Sequence, residues 1–243
     1  MCSLGKHKSI LPYIISSIIA VFFVAPYEAN GSFSIVAVTI KMFPIFYLIL
    51  YMNSYLDSTY STMFTSIGKE KDNVWIDKHQ LATGVVCGLV CSIIGDFILL
   101  VRFKDESFFI LGTGAFAVAQ LCYIHAFGFH SKQLKVGLSL YGVCSVLSFF
   151  VLREASLSLK LFLSVYGFLL VTSLWRAIDR INYEDGRKQY QKILLPIGLL
   201  SFLFSDLWIG VSTFLLKENQ TSSVQFILFT YYLAQGLIAV SSS

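Results

Sequence analysis

Eight long apolar segments, each close to twenty residues, constrain the fold of this chain more than any other feature of its sequence. A helix needs about 20 residues to cross the ~30 Å hydrocarbon core of a bilayer, and its backbone polar groups must be paired within the segment. The segments therefore predict membrane-spanning α-helices. The expected spans are about 9–26, 32–53, 81–101, 107–127, 131–151, 157–178, 193–215 and 223–241.

Composition supports the membrane prediction. Charged residues make up 13% of the chain, about half of the ~25% found in ordinary soluble proteins, and the short alternating strands of a β-barrel are not found. We therefore expect an all-α polytopic membrane protein, an eight-transmembrane-helix bundle that forms a single integral membrane domain over residues 1–243. The longest connection, 54–80, carries charges of both signs and is expected to be a solvated connector, with a lid over a substrate opening as the alternative.

The first apolar segment also resembles a cleaved signal peptide, because it follows Lys6-His7-Lys8. Its apolar run is longer than the ~7–15 residues usual in a signal peptide, and no small-residue cleavage site follows it. The run leads instead into Pro26-Tyr27-Glu28. We therefore expect a retained first helix that ends near residue 26.

The positions of lysine and arginine predict the orientation in the membrane. With eight spans, both termini lie on one side together with the connections 54–80, 128–132 and 179–192, and the positive-inside rule makes the more basic side cytosolic. The net charge of +4 follows from this bias and does not indicate a nucleic-acid partner. The side of the termini carries Lys6, Lys8, Lys69, Lys71, Lys78, Lys132, Lys135, Arg176, Arg180, Arg187, Lys188 and Lys192, and the other side carries Arg102, Lys104, Arg153, Lys160 and Lys217.

Two aspartates lie deep within the apolar segments, Asp96 in the third and Asp206 in the seventh. A carboxylate at the centre of a membrane helix costs roughly 2.5–3.5 kcal/mol, and such groups usually serve a function. At 1.5 Å per residue, Asp96 lies roughly 8 Å from the outer end of its helix, and Asp206 and Lys41 lie roughly 14 Å from theirs. We expect both carboxyl groups to line one cavity with Lys41 within reach of at least one of them. A structural ion pair between Lys41 and one aspartate is the alternative.

A stripe of small residues and a short internal repeat support this expectation. Gly84, Gly88 and Ser92 recur every four residues and end at Asp96, a pattern that allows close helix approach. A pair of dipeptides in the first half also recurs in the second, which favours a parallel four-plus-four internal repeat that would bring the two aspartates face to face. The pairs are Gly95-Asp96 with Ala119-Gln120, and Ser205-Asp206 with Ala234-Gln235.

Six short motifs follow one another from about residue 40 to 240: Lys41-Met42-Phe43-Pro44, Gly95-Asp96, the segment from Gly114-Ala115-Phe116 to Tyr123, Trp175-Arg176-Ala177, Ser205-Asp206, and Tyr231-Tyr232-Leu233-Ala234-Gln235. In this order they resemble the successive motifs of the YhhN family. The animal members of that family are lysoplasmalogenases, multi-span membrane enzymes that hydrolyse alkenyl ethers.

The resemblance implies an alkenyl-ether hydrolase in which Asp96 and Asp206 are catalytic. Many members have His-x-x-Tyr in the fourth helix, where this chain has Gln120 before Tyr123, so a role that needs a titrating imidazole is in doubt there. Arg176 is expected either to contact a phosphate or to be a snorkelling anchor. Supporting or substrate-binding roles are expected for Lys41, Gln120, Tyr123, Arg176, Tyr231, Tyr232 and Gln235.

The chemistry expected from the resemblance fits two carboxyl groups. A vinyl ether is hydrolysed by proton transfer to the alkene carbon, capture of the oxocarbenium ion by water, and collapse of the hemiacetal, which needs one protonated and one ionised group. Cysteine and histidine clusters with metal-ligand spacing are not found, so no metal or cofactor is expected. The expected partners are a lysophospholipid with an alkenyl chain and the lipid bilayer, with the endoplasmic reticulum as the favoured membrane; a homodimer is left open.

Two other classes of protein also place carboxylates inside a membrane. A proton-coupled transporter is the main alternative, although the Gly/Pro-broken helices typical of transporters are not found. An intramembrane aspartyl protease would need Gly-x-Gly-Asp and Tyr-Asp motifs, whereas Asp96 follows Ile-Gly and Asp206 follows Phe-Ser.

Overall fold

Eight α-helices account for most of the computed structural model, which describes residues 9–32, 34–65, 72–100, 106–129, 133–217 and 220–243. No β-strand occurs within these ranges. A 3-10 helix, Arg180–Asn182, follows the sixth α-helix, and a π-helical segment, Val211–Leu216, continues the seventh. The α-helices are α1 (Leu11–Ala29), α2 (Ile35–Thr65), α3 (Asp72–Leu100), α4 (Glu106–Phe127), α5 (Leu134–Val151), α6 (Leu157–Asp179), α7 (Gln189–Gly210) and α8 (Thr221–Ser241).

Each of these eight helices contains a segment long and apolar enough to cross a membrane. This confirms the predicted all-α, eight-span fold, and the chain is a multi-pass membrane protein. Because the helices cross in succession, α1, α3, α5 and the π-helical segment finish at the same end of the bundle, which we call the outer end after its predicted orientation. That orientation stays a prediction. Of the basic residues on which it rests, Lys6, Lys8, Lys69, Lys71, Arg102, Lys104 and Lys132 lie outside the described residues.

Three helices extend beyond the predicted spans. α1 continues through Pro26 to Ala29, three residues beyond the expected end. α2 ends at Thr65 and α3 begins at Asp72, so the predicted connector 54–80 is helical over most of its length, and residues 66–71 lie outside the described part. The reason is physical: hydropathy marks where a helix leaves the hydrocarbon, whereas the helix itself continues into water while its residues favour it.

Close helix pairs surround the interior of the bundle. α3 lies tightly against α4, where a Cβ added at Gly88 would come within 2.1 Å of the Tyr123 ring and one at Gly84 within 2.5 Å of the Ala126 Cβ. The predicted close approach along this small-residue stripe is therefore confirmed. α7 packs closely against α8, and α1 packs against α2 and α8. α5 is peripheral, because it packs mainly against α6 and leaves most of its surface exposed.

A buried ion network fixes the connection between α6 and α7 at the end opposite the outer end. Asp185 accepts hydrogen bonds from Arg187 Nε at 2.8 Å and from Arg180 Nη2 at 3.2 Å, and Arg180 also pairs with Asp77 of α3. Burial raises the pKa of Asp185, but the hydrogen bonds and charge of Arg187, together with the charge of Arg180, outweigh burial and hold that pKa below its usual range. Arg187 also donates to the carbonyl of Ser241 at 3.0 Å, so the network reaches the end of α8.

Candidate active site

Lys41 stands between two carboxylates in the outer half of the bundle. Its Nζ lies 2.6 Å from Glu28 Oε1 and 3.5 Å from Asp96 Oδ1. All three residues are buried. The other carboxylate oxygen of Asp96, Oδ2, accepts a hydrogen bond from the Tyr231 hydroxyl at 2.7 Å. One lysine therefore faces two carboxylates, and the cluster is one positive charge short when both are ionised.

Asp206 has a different environment on α7. Its Oδ2 accepts a hydrogen bond from the hydroxyl group of Tyr166 on α6. No lysine or arginine among the described residues forms an ion pair with Asp206. The two aspartates thus differ in their immediate partners: Asp96 has a cation and a tyrosine beside it, whereas Asp206 has a neutral hydroxyl group.

Both aspartates line a single cavity with a volume of about 320 Å³. Lys41 also lines it, which confirms the prediction that the two carboxyl groups share a cavity with the lysine within reach of one of them. Within the described part of the chain, no group of three or more histidine, cysteine, aspartate or glutamate side chains is arranged to hold a metal ion. The rest of the lining is largely apolar and includes Leu99, Phe116, Leu147, Leu163, Leu203 and Leu228.

The cavity opens sideways, between α5 and α7. Val143 of α5 and Phe204 of α7 both line the cavity, yet they are 60% and 52% exposed. Because α5 packs mainly against α6, it leaves a gap towards α7, and Phe204 places this gap two residues from Asp206. Along α5 the lining runs from Leu140 to Leu152, a rise of about 18 Å. The cavity is therefore elongated, and its lining reaches the surface of the bundle near the level of Asp206.

Three of the predicted site residues lie behind the cavity and not on its described lining. Tyr123 donates a hydrogen bond to Gln235 Oε1 at 2.8 Å, and Gln235 Nε2 donates to the hydroxyl of Ser92 at 3.0 Å. Tyr232 donates to the backbone carbonyl of Lys41 at 2.8 Å. These bonds join α8 to α2, α3 and α4, so they hold in place the helices that carry the charged cluster.

Gln120 also lies away from the cavity lining. Its Oε1 accepts a hydrogen bond from the Ser173 hydroxyl at 2.7 Å, which joins α4 to α6. Its Nε2 is buried and has no hydrogen-bond partner among the described residues. The glutamine that replaces the family's histidine is therefore placed to position α6 and not to touch a molecule in the cavity.

Arg176 lies away from the cavity, and its expected contact with a phosphate stays a prediction. It is 1% exposed, so it does not reach solvent as a snorkelling anchor would. Its Nη1 lies 3.3 Å from Asp179 Oδ2, and its guanidinium carbon lies 3.7 Å from the centre of the Trp175 ring. Ten residues, or about 15 Å, separate it from Tyr166 along α6, and it is not among the residues that line the cavity. Of the predicted site residues, the structure brings Asp96, Asp206, Lys41 and Tyr231 together.

The sequence did not single out two residues of the cavity, Glu28 and Tyr166. Glu28 was expected beyond the end of α1, and only the continuation of the helix through Pro26 turns it towards Lys41. Tyr166 is one of 13 tyrosines in the chain, and no motif sets it apart. One signal in the sequence could have identified Glu28. It lies at the outer end of the first apolar segment, and the next segment carries Lys41, a cation of opposite charge.

The predicted internal repeat stays a prediction. Lys41 on α2 contacts Asp96 on α3, and Tyr166 on α6 contacts Asp206 on α7. In a four-plus-four repeat, α2 and α3 correspond to α6 and α7, so the two contacts occupy equivalent places.

Comparison with known proteins finds one family and several curated relatives. The sequence model of the YhhN family matches residues 36–242. Lysoplasmalogenase TMEM86A of Homo sapiens is 32% identical over 167 residues, which cover 68% of this chain and 67% of the relative. Lysoplasmalogenase TMEM86B of Mus musculus is 33% identical over 156 residues, which cover 63% of this chain and 61% of the relative. No solved structure matches the chain.

Proposed function

The chain belongs to the YhhN family, and we propose that it is a lysoplasmalogenase, which hydrolyses the vinyl-ether bond of a lysoplasmalogen to a fatty aldehyde and glycerophosphocholine or glycerophosphoethanolamine. One observation carries the proposal: two aspartates on different helices, Asp96 and Asp206, line one largely apolar cavity. Relatives named lysoplasmalogenase, at 32% and 33% identity, support the same activity.

Asp206 is the general acid in this proposal. Its hydrogen-bond partner is the neutral hydroxyl of Tyr166, whereas Lys41 lies beside Glu28 and Asp96. With two carboxylates already sharing one lysine, a third negative charge in the same apolar cavity is unfavourable. Asp206 is therefore the carboxyl group that keeps its proton and donates it to the alkene carbon.

Asp96 is the general base. Lys41 at 3.5 Å and the Tyr231 hydroxyl at 2.7 Å both favour its ionised form. A carboxylate in the same cavity as the substrate stabilises the positive charge that develops on the oxocarbenium ion. It then accepts a proton from the water that attacks that ion.

The atoms balance without a metal or a cofactor. The proton of Asp206 adds to the alkene carbon remote from the ether oxygen. The electron pair of the double bond forms this new C–H bond, and the carbon attached to the ether oxygen becomes an oxocarbenium centre. Water bonds to that carbon and gives one proton to Asp96, which forms the hemiacetal. In the collapse, the hemiacetal hydroxyl returns a proton to Asp206, the bond to the glycerol oxygen breaks, and Asp96 protonates that oxygen. Both carboxyl groups end in their starting states.

The shape of the cavity suits a lipid substrate. Its lining is largely apolar, and its opening between α5 and α7 exposes Val143 and Phe204 at the depth of Asp206. A long alkenyl chain therefore enters from the hydrocarbon without crossing water, and its vinyl ether reaches the aspartates from the side.

The names of the relatives do not favour the transporter that the sequence left open. A transporter would move an ion or solute across the membrane and leave a vinyl ether intact. Hydrolysis of the lipid by the purified protein therefore separates the two functions in one assay.

The experiment uses purified protein in a neutral detergent, without added metal, in deuterium oxide. We expect a lysoplasmalogen to release its fatty aldehyde with one deuterium on the carbon next to the carbonyl, because the proton that adds to the alkene comes from an acid that exchanges with solvent. The aldehyde is reduced at once to the alcohol, so that later exchange does not add label. An ester-linked lysophospholipid of the same chain length is the control and should stay intact. Absence of aldehyde, aldehyde without the label, or cleavage of the ester would contradict the proposal.

We further propose that the protein resides in the membrane of the endoplasmic reticulum with both termini in the cytosol. An even number of candidate spans in the described residues supports termini on one side, the positions of lysine and arginine favour the cytosolic side, and a lipid substrate suits this membrane. A protease added to sealed vesicles with the cytosolic face outward should remove tags from both ends. Tags on opposite faces would contradict the topology. A homodimer stays a prediction.

A further inference from the structure

A second groove, with a volume of about 430 Å³, lies between α5 and α6 beside the catalytic cavity. The groove and the cavity share part of their lining, including Ser148, Leu152 and Gly167. A Cβ added at Gly167 would meet no described atom within 4 Å. The two spaces therefore adjoin along α5 and α6, and the shared residue Gly167 is next to Tyr166, the partner of Asp206.

The charged side chains on the described lining of the groove are both basic, whereas the cavity is lined by three carboxylates and one lysine. Arg153 and Lys160 line it at the outer end of the bundle, and neither a glutamate nor an aspartate is among its described lining residues. Arg153 contacts Glu154 at 3.5 Å, but both side chains are largely exposed, and exposed pairs of this kind are weak. Lys160 forms no ion pair among the described residues. Three serines also line the groove, Ser145, Ser148 and Ser164, and Ser148 lines the cavity as well.

We propose that this groove binds the phosphate of the lysophospholipid substrate, with Lys160 as its main cationic ligand and Arg153 as a second one. The proposal rests on the function proposed above. Lys160 precedes Tyr166 by six residues on α6, a rise of about 9 Å. The phosphate of a lysoplasmalogen lies one glycerol unit from its vinyl ether, and the flexible side chain of a lysine covers the remaining distance.

The position of the groove explains how one lipid is held at both ends. Its alkenyl chain lies in the cavity, its glycerol passes Gly167 and Ser148, and its phosphate reaches Lys160. Arg176, which the sequence suggested for the phosphate, lies about 15 Å from Tyr166 in the opposite direction and is paired with Asp179. The head group therefore points to the outer end of the bundle.

Kinetics with two substrates test this assignment in a neutral detergent that contains no phospholipid. One substrate is a lysoplasmalogen, and the other is the alkenylglycerol with the same chain and no phosphate. Lys160→Gln should raise KM for the lysoplasmalogen about tenfold, the effect of one charge-assisted hydrogen bond, with kcat nearly unchanged and KM for the alkenylglycerol unchanged. Arg153→Gln should raise KM by no more than about fivefold, because its side chain is exposed. Lys160→Arg should retain the wild-type KM.

Lys217→Gln is the matched control, because Lys217 is an exposed lysine at the same end of the bundle and outside the groove. It should change neither KM. An equal rise in KM for both substrates after Lys160→Gln, or a Lys160→Arg variant as weak as Lys160→Gln, would overturn the proposal. So would an effect that appears for both substrates only when phospholipid vesicles are added, because the groove would then hold a lipid of the bilayer and not the substrate.

A binding measurement separates this proposal from the proposed function. An alkyl-ether lysophospholipid has the same phosphate but no vinyl ether, so it binds without reacting. Wild-type protein should bind it about tenfold more tightly than Lys160→Gln does in isothermal titration, and both should bind the matching alkylglycerol equally. If the protein released no aldehyde but the tenfold difference in affinity remained, the phosphate site would be supported and the proposed hydrolase activity would be contradicted. Equal binding of the phosphate-bearing lipid by both proteins would overturn the site itself.

Discussion

Replacement of Lys41 by methionine is expected to destabilise the protein strongly, because it removes one cation from two buried carboxylates. Loss of one partner from a buried ion pair costs about 3–5 kcal/mol. In a chain of this length, each kcal/mol lowers Tm by about 2–4 °C. Lys41→Met should therefore lower Tm by about 6–20 °C. Methionine keeps the length of the side chain, so the loss reflects the charge more than a cavity.

Replacement of Glu28 by glutamine should cost less, because Lys41 keeps Asp96 as a partner. Lys41 lies 2.6 Å from Glu28 and 3.5 Å from Asp96. At an effective dielectric constant of about 20, the attraction of two unit charges is roughly 6 kcal/mol at the first distance and roughly 5 kcal/mol at the second, before desolvation. The two carboxylates therefore attract the lysine with similar strength. The double variant Lys41→Met/Glu28→Gln leaves one unpaired carboxylate instead of two. Its loss of stability should fall short of the sum of the single losses by about 1–3 kcal/mol.

Thermal unfolding in detergent, followed by tryptophan fluorescence, measures these effects. Lys217→Met is the control and should change stability by less than about 0.5 kcal/mol, because Lys217 is exposed and outside the cluster. Single losses that add within about 0.3–0.5 kcal/mol in the double variant would refute a shared cluster. An unchanged Tm in Lys41→Met would refute the burial of the charges.

Three further changes test other parts of the molecule. Gly167→Leu should lower aldehyde release from a long-chain lysoplasmalogen about tenfold or more, because it fills the open space that the cavity and the groove share at this residue. Gly142→Leu, at an exposed glycine with equally open space, should leave the rate nearly unchanged. Equal rates in the two variants would contradict the proposed position of the substrate. Tyr166→Phe should lower kcat about tenfold with little change in KM, because the acid loses the hydrogen bond that orients it; a rise in KM alone would contradict this role. The pKa of Asp185 in the folded protein is lowered from its ordinary value of 3.8, so its pairing stabilises the fold at pH values above 3.8, and that stability is lost as the pH falls through the folded pKa. Asp185→Asn should therefore have a lower Tm than wild type at neutral pH, and its Tm should fall less on acidification. Parallel profiles of Tm against pH in the two proteins would contradict the role of the pairing with Arg187.

Hydropathy was sufficient to predict the eight helices, because a helix that crosses hydrocarbon must be apolar over its whole span. It did not predict the extensions of α2 to Thr65 and of α3 from Asp72, because helices in water carry polar residues that also occur in connectors. It misplaced the end of α1 because Pro26 and Glu28 together resemble a helix end. That misplacement hid Glu28 from the predicted site.

The cost of burying a charge led directly to the centre of the site. Asp96, Asp206 and Lys41 stand out in apolar segments, and all three line the cavity. Tyr166 does not stand out, because tyrosines are common in this chain and the contact that matters depends on how α6 packs against α7. Arg176 lies outside the described cavity lining beside Asp179 of the same helix, and its Nε and Nη1 have no hydrogen-bond partner among the described residues, so its role stays a prediction.

The central claim is that Asp206 and Asp96 act as the acid and the base that cleave the vinyl ether. The rate of aldehyde release from a lysoplasmalogen, measured for Asp96→Asn, Asp206→Asn and wild type at equal amounts of folded protein, tests it most directly. Each asparagine variant should be slower by about 10²–10⁴-fold, while Asp57→Asn, at an exposed aspartate of α2 outside the cavity, should keep the wild-type rate. Near-normal turnover in both variants would contradict the claim and make the two buried aspartates structural.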